Sequence, residues 1–276
     1  MTSILQTASK LFPWHLSQGF KVPQLLQQSS KTIIISATIL AVTVPRIYRN
    51  YQTFLSYGPG GPPYNILGWF AVSVIFSPWG RETLSTEVYN VKIAGGETVS
   101  YLSDESVRVR KRDRRPEMGP HVAPQRQIDE FPSAEIKEKL NQNFYAVATR
   151  NQHLTRLAPS NLEFHADALF LTEGLLSTPA AQQMKGEIAH LHRWKDFSMH
   201  VTLAPADCKK VIEAGWGERN QLSGVQLPKA LGGGKLISLP LEFLFIYAPR
   251  TEAEVAFVTE ILVAGVKYMT ESVEVR

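Results

Sequence analysis

One uncharged apolar run near the N-terminus constrains this chain more than any other feature. Residues 32–45 read TIIISATILAVTVP and lie between Lys31 and Arg46. The run is short for a spanning helix, because a bilayer core takes about 17 to 25 apolar residues. The preceding uncharged residues 22–30 can lengthen the helix while the Lys31 ammonium reaches the interface. We therefore expect Ile33–Val44 to anchor the protein in a membrane.

Two other interpretations of the run stay open, a cleaved signal peptide and a buried core helix. A signal peptide would end in a small-residue cleavage site, whereas Pro45, Arg46 and Arg49 follow here. Basic residues flank both ends, so the sequence predicts no orientation. We expect a single-pass protein of the endoplasmic reticulum or another internal membrane, with lipids as partners.

Length and composition indicate one globular domain behind the anchor. The chain has 276 residues, of which 44% are hydrophobic and 20% charged, which excludes disordered and collagen-like classes. The single cysteine, Cys208, cannot form an intrachain disulfide. We expect an N-terminal segment over residues 1–50 and one catalytic domain over residues 51–276.

A second apolar segment follows a glycine- and proline-rich turn. Residues 66–79 carry no charge and have tryptophans near both ends. They are too few to span a bilayer comfortably. The segment is predicted either to lie at the membrane interface or to pack as a core helix.

The densest charge in the chain lies at residues 107–115, where six of nine residues are basic. Three interpretations fit: a solvated loop, a contact with anionic lipid headgroups, or a nucleic-acid contact. No zinc spacing or recognition-helix pattern accompanies the run, so we expect no nucleic-acid partner.

The rest of the pattern predicts an α+β fold, mainly an antiparallel sheet with packed helices. No dinucleotide-binding βαβ signature is present. The predicted elements are a helix over 134–148 capped by Ser133, a strand over 162–168, a helix between Pro205 and Gly215, a glycine-rich loop at 232–234, a strand over 241–247 and a final helix opened by Thr251 and Glu254.

Four of the seven histidines fall within 36 residues, at 165, 190, 192 and 200. Alternation places His190 and His192 on one face of a strand, and residues 193–197 can connect it to a second strand that carries His200. If His192 pairs with Ser198, antiparallel register sets His190 opposite His200. Three imidazoles then converge, although a register slip of one residue would turn one set away.

Three interpretations of the histidine cluster follow from its chemistry. Clustered imidazoles disfavour one another's protonation, so one of them can act as a general base near pH 7. Three neutral imidazoles can also hold a divalent metal, although no HExxH pattern or suitably spaced glutamate accompanies them. The third interpretation is a set of hydrogen-bonded structural histidines.

The segment Gly215–Arg219 is the second candidate site. Its two glycines permit a tight backbone around Trp216, and Glu218 and Arg219 form a charged pair that can orient a substrate oxyanion. The alternative interpretation is a helix cap followed by a structural turn.

Together these segments resemble the fungal luciferases. The segments that carry the resemblance are RNYQTFL at 49–55, EFHA at 163–166, EIAHLH at 187–192, GWG at 215–217 and YAPR at 247–250, followed by YMT at 268–270. The resemblance implies a membrane-associated oxygenase that oxidises 3-hydroxyhispidin with molecular oxygen. Carbon dioxide and green light from excited caffeylpyruvate are the implied products. It also implies no metal or organic cofactor, with oxygen as the only co-substrate.

Residue roles follow from this resemblance and from the clustering together. We expect the catalytic residues to be His190, His192, His200 and Arg219, and the substrate-binding residues to be His165, Glu187, Trp216, Glu218 and Tyr247. Trp194, Trp216 and Phe245 are expected to exclude water from the site.

One departure from the family pattern leaves the activity open. Asn220 stands where the family carries a histidine after the arginine. The alternatives are therefore a non-luminous membrane-anchored homologue of unknown substrate, and a metal-dependent enzyme that uses the three-histidine site.

Overall fold

The structure is a computed structural model that describes residues 30–175, 178–231 and 238–276. The described residues divide into two units, with the division between Asn50 and Tyr51. Two predicted features, the glycine-rich loop at 232–234 and the N-terminal extension of the anchor over residues 22–29, lie outside the described residues.

Helix α1 (Ser30–Ser56) contains the apolar run. In the described part of the chain it is the one helix long and apolar enough to cross a membrane, and none of its apolar window is buried. The Thr38 and Thr43 hydroxyls donate to carbonyls one turn earlier, so their polar groups are satisfied inside the helix. The core-helix interpretation of this run is therefore wrong, and α1 is a candidate anchor.

A six-stranded antiparallel sheet forms the centre of residues 51–276, in the order β1-β2-β3-β4-β6-β5. The predicted α+β class is confirmed. Its strands are β1 (Thr155–Pro159), β2 (Asp167–Leu171), β3 (Glu187–Leu191), β4 (Met199–Thr202), β5 (Gly217–Arg219) and β6 (Phe243–Ile246).

Seven further helices follow α1 in the described residues. They are α2 (Ile66–Phe70), α3 (Glu87–Ala94), α4 (Asp104–Val109), α5 (Ala134–Arg150), α6 (Pro179–Gln183), α7 (Pro205–Glu213) and α8 (Glu252–Thr270). The predicted caps of α5 and α8 are present. Ser133 Oγ accepts a hydrogen bond from the Ile136 amide, and Thr251 Oγ1 accepts one from the Glu254 amide. The Glu254 carboxylate accepts from the Arg250 amide instead of completing the capping box.

The two faces of the sheet differ in chemistry. One face is apolar and packs against α8, where a Cβ added at Gly265 would lie 2.5 Å from Val201 Cγ2. Only a glycine permits so close an approach of helix to strand. We call the other side the histidine face, because alternation places His190, His200 and Phe245 on it.

The predicted strand over 162–168 is wrong for most of its length. Strand β2 begins only at Asp167, and residues 160–166 form a loop, called here the 160–166 loop. Ser160 Oγ accepts from the amides of Leu162 and Glu163, which offers the backbone an alternative to a strand ladder. Phe164 then takes a positive φ of 59° and is 61% exposed.

Residues 66–79 do not form a core helix. Helix α2 continues into a π-helical turn over Ala71–Phe76 and a 3₁₀ turn over Ser77–Trp79. Gly68 and Val72 are buried, whereas Leu67 is 73% exposed and Val74 51%. The segment therefore lies on the surface with apolar side chains outward.

The basic segment at 107–115 is a structural brace, so the solvated-loop interpretation is wrong for its inner residues. The Arg112 guanidinium is fully buried, donates to the Ala248 carbonyl and pairs with Glu130 at 3.1 Å. Arg115 donates to the Gly217 carbonyl at the start of β5. These bonds fasten the segment to the sheet, so the inner guanidinium groups do not face lipid or nucleic acid.

Candidate functional site

The predicted histidine hairpin is confirmed. The His192 amide donates to the Ser198 carbonyl at 2.9 Å, and His190 lies directly opposite His200 in the β3–β4 register. The three ring centroids are 5.0 to 5.3 Å apart. We call His190, His192 and His200 the histidine cluster.

Each imidazole is held through its Nδ1 atom by a different kind of partner. His190 Nδ1 lies 2.7 Å from Glu187 Oε1, and His200 Nδ1 lies 3.0 Å from the Leu244 carbonyl oxygen. His192 Nδ1 lies 2.7 Å from Ser198 Oγ. These bonds fix the ring orientations and turn the three Nε2 atoms away from the partners.

Ring nitrogens of the three histidines converge, and two of them have no hydrogen-bond partner. Nε2 of His190 and Nε2 of His192 are buried and have no hydrogen-bond partner. One ring nitrogen from each member of the cluster lies within 4.8 Å of the other two. Buried polar atoms without partners are rare in folded proteins, so this convergence points to a site for something else.

The electrostatic surroundings keep two members of the cluster, His192 and His200, neutral. Burial, the Arg126 charge and the two neighbouring histidines lower the pKa of His192 well below its usual range. Burial, followed by His190, does the same for the pKa of His200. Neutral imidazoles can accept a proton or bind a metal at pH 7.

Two charged groups beside the cluster, Arg126 and Glu163, were not predicted as site residues. The Arg126 guanidinium donates to both carboxylate oxygens of Glu163 at 2.8 Å, and both side chains are buried. Glu163 Oε1 lies 3.5 Å from His192 Nε2. A carboxylate therefore does stand beside the cluster, although the spacing of glutamates along the sequence did not indicate one.

The cluster is sealed from solvent. Phe243 stacks on His200 with ring centroids 4.5 Å apart, and Phe245 lies against His192. An open groove of about 420 Å³ lies outside, lined in part by Phe164, His165 and Trp194. The 160–166 loop contributes Glu163 to the inside and Phe164 and His165 to the groove.

Glu187 reaches the cluster through an irregularity that the sequence does not reveal. In a regular strand, Glu187 and His190 would point to opposite faces of the sheet, because they are three residues apart. The β2–β3 register shifts between Leu169 and Phe170, which brings the carboxylate to the histidine side. Ser160 Oγ and the Asn161 amide also donate to this carboxylate.

A second polar network occupies the histidine face beyond Phe245. Glu218 accepts from Gln125 Nε2 at 2.7 Å and from the Tyr247 hydroxyl at 3.0 Å. Asn220 Nδ2 donates to Gln125 Oε1 at 3.0 Å. Burial raises the pKa of Glu218. Phe245 lies between this network and the histidine cluster.

Three further predicted site residues also lie away from the cluster. Arg219 donates to the Glu82 carbonyl and does not pair with Glu218, because neighbouring residues of β5 point to opposite faces. Trp216 packs against Phe257 of α8 in the core. His165 lies in the outer groove.

Trp194, Trp216 and Phe245 were expected to exclude water from the site, but only Phe245 lies beside the histidine cluster. Phe245 is buried against the histidines, whereas Trp194 is 71% exposed. Trp216 donates its indole N–H to the Arg110 carbonyl, on the helix-covered side.

Four residues that hold the site were not predicted as site residues. Arg126, Glu163, Asp196 and Ser198 support the cluster from loops rather than from strands. Ser198 was visible as the pairing partner of His192, but Arg126 is separated from the cluster by more than 60 residues and gave no signal.

A buried set of imidazoles flanked by carboxylates, on one face of an antiparallel sheet, is the kind of site that enzymes use. Comparison with known proteins agrees. The Luciferase domain family matches residues 185–265, which include β3, β4, β5 and β6. No solved structure matches the chain.

Curated relatives extend the similarity over most of the chain. A luciferase of Armillaria gallica is 35% identical over 244 residues, covering 85% of each chain. A luciferase of Neonothopanus nambi is 33% identical over 260 residues, covering 90% of this chain and 91% of the relative. The chain belongs to the fungal luciferase family. Membership implies an oxidoreductase of the oxygenase type that acts on a small molecule with O₂.

Proposed function

We propose that this protein oxidises a hydroxypyrone luciferin, 3-hydroxyhispidin, with molecular oxygen. The pyrone and O₂ together give caffeylpyruvate and carbon dioxide, so both oxygen atoms end in the products and no external reductant is needed. The observation that carries the proposal is the buried, convergent histidine cluster in a chain of this family.

The chemistry requires a substrate anion. A hydroxypyrone must lose its hydroxyl proton before the electron-rich ring reacts with oxygen. One ring nitrogen of each histidine lies within 4.8 Å of the other two, and Nε2 of His190 and of His192 has no hydrogen-bond partner, so these groups are well placed to promote that ionisation. Phe243 and Phe245 exclude water, which would otherwise divert a peroxide intermediate.

Access to the cluster requires movement of the 160–166 loop. His190 and His192 are 1% and 2% exposed, so a pyrone cannot reach them while Glu163 is in place. The outer groove offers Phe164 and Trp194 as apolar surfaces for an aromatic tail. We propose that the substrate first binds in this groove and that the loop then opens.

The test mixes the purified protein with 3-hydroxyhispidin in air and follows oxygen uptake, caffeylpyruvate and light. We expect His192→Ala to lose oxygen uptake and His153→Ala, on an exposed histidine far along the sequence from the cluster, to retain it. Absence of oxygen uptake by the parental protein would reject the proposed substrate.

A non-luminous oxygenase is the second candidate, favoured by Asn220. This residue occupies the Gln125 network where the resemblance implies a histidine. Caffeylpyruvate formation without light would support this candidate, and recovery of light in Asn220→His would locate the cause.

Membrane attachment through α1 belongs to the same proposal. No residue in the apolar window of α1 is buried, and the segment 66–79 has a second set of exposed uncharged side chains. Carbonate extraction tests it: the parental protein should stay in the membrane pellet, and replacing Ile34, Ile39 and Val42 by lysine should release it. Release of the parental protein would refute the anchor.

A further inference from the structure

We propose that the histidine cluster binds one divalent first-row transition metal ion through the three Nε2 atoms. This inference goes beyond the proposed oxidation and does not rest on it, because it concerns binding by His190, His192 and His200 alone. It departs from the expectation that the protein needs no metal.

The hydrogen bonds of the cluster fix the tautomer of all three rings. A carbonyl oxygen only accepts, so His200 Nδ1 must carry its proton toward Leu244. A carboxylate likewise accepts from His190 Nδ1, since Glu187 is held by two further donors. Both Nε2 atoms therefore present a lone pair.

The third ring follows from a short relay. The Ser198 hydroxyl donates its hydrogen to Asp196 Oδ1 at 2.9 Å. Ser198 Oγ can then only accept from His192 Nδ1, which lies 2.7 Å away. His192 Nε2 is therefore a third lone pair, and no member of the cluster can donate to another.

Three lone pairs that face one another need a shared electrophile. A water molecule has only two hydrogens to donate, so it cannot satisfy three acceptors at once. A metal cation satisfies all three. In metal sites the second ring nitrogen of each histidine ligand is characteristically held by a carboxylate, a carbonyl or a comparable acceptor, as found here.

The local charge also favours a cation. Glu163, Glu187 and Asp196 stand around the cluster with Arg126 as the opposing charge, which leaves an excess of two negative charges when all are ionised. A divalent ion would neutralise that excess in a buried site.

The distances identify the class of metal. Tetrahedral zinc–nitrogen bonds of about 2.0 to 2.1 Å place ligand nitrogens about 3.4 Å apart. The three nitrogens lie within 4.8 Å of one another, so binding draws them inward by no more than about 1.5 Å. Imidazole ligands favour zinc, iron, cobalt, nickel and copper over magnesium or calcium.

The experiment measures metal binding without substrate. Full-length protein in detergent is stripped with a chelator and titrated with Co²⁺, and binding is followed by its visible d–d absorption and by calorimetry. We expect one Co²⁺ per chain, displaced by Zn²⁺. Ala variants of His190, His192 and His200 should each lose it, and His153→Ala should retain it.

A second variant tests the relay rather than the ligands. Glu187→Gln keeps all three imidazoles but weakens the acceptor on His190 Nδ1, so Co²⁺ affinity should fall about 10- to 100-fold while circular dichroism stays unchanged. No stoichiometric binding by the parental protein, or equal binding by the three Ala variants, would overturn the metal site. Oxygen uptake by chelated protein would leave the oxidation standing without it, so the two proposals fail separately.

Discussion

The basic segment at 107–115 and the histidine cluster both gather several titratable side chains, and the fold treats them in opposite ways. Arg112 is fully buried, yet its guanidinium meets Glu130 and two carbonyl oxygens. His190 and His192 are equally buried, yet each keeps one ring nitrogen without a partner.

The difference separates a structural role from a chemical one. A buried polar group that leaves hydrogen-bonding capacity unused costs free energy, typically about 1 to 3 kcal/mol. Arg112 and Arg115 use their guanidinium groups in hydrogen bonds that connect the basic segment to β5 and to the residues after β6. The histidines are held in place by their Nδ1 partners and keep their second nitrogens for a ligand. The density of charge along the sequence does not distinguish these roles. The number of buried polar atoms without a hydrogen-bond partner does.

The largest effect is expected on activity. Replacing His200 by Ala should lower kcat by about 10²- to 10⁴-fold, because ionisation of the substrate then loses its assistance. Arg114→Ala, which removes a 65% exposed side chain paired with Asp129, should leave kcat unchanged. Stopped-flow oxygen uptake compares the two variants.

The pH dependence of His200→Ala sharpens the result. If the cluster assists ionisation, activity of the variant should recover at alkaline pH, where the hydroxypyrone ionises unaided. A variant that keeps parental kcat at neutral pH would show that the cluster is structural, like the arginines.

The second effect is on folding. Arg112→Met should destabilise the protein by about 3 to 5 kcal/mol, because Glu130 and the Ala248 carbonyl lose a buried charged partner. Arg108→Ala, on a side chain that is 75% exposed, should change stability by less than about 0.5 kcal/mol. Urea denaturation measures both, and a mild Arg112 variant would contradict the structural role.

The sequence predicted the hairpin register because alternation and a five-residue connection leave few options for pairing. It failed at the 160–166 loop, where Ser160 bonds to the backbone and overrides an alternating pattern. It also failed at Arg219, because alternation was applied to the histidines but not to Glu218 and its neighbour. Partners such as Arg126 come from distant loops, and no local pattern records which of them meet in space.

A third, smaller effect tests the relay behind His192. Ser198→Ala removes the acceptor for Nδ1 and the donor to Asp196 Oδ1, so the ring is free to change tautomer. We expect kcat to fall about tenfold with little change in KM, since the imidazole stays in place but loses its orientation. Ser198→Thr keeps the hydroxyl and should restore activity. Equal loss in both variants would indicate packing rather than the hydrogen bond.

The smallest effect concerns a buried histidine outside the cluster. His121 Nδ1 lies 2.9 Å from the Tyr57 hydroxyl, and burial lowers the pKa of His121 from 6.5 to about 4. Between these values the unfolded chain binds more protons, so stability is complete above pH 6.5 and falls as the pH drops toward 4.

Allowing for solvent screening, the loss between pH 7 and pH 5 should be about 1 kcal/mol. His121→Gln keeps a polar side chain but does not titrate, so its denaturation midpoint in urea should change less over the same interval. The His200→Ala variant should not flatten this pH dependence, because it leaves His121 and Tyr57 untouched. If His121→Gln and the parental protein show the same dependence of stability on pH, other groups cause the acid sensitivity. The neutral, hydrogen-bonded state of His121 would then not explain it.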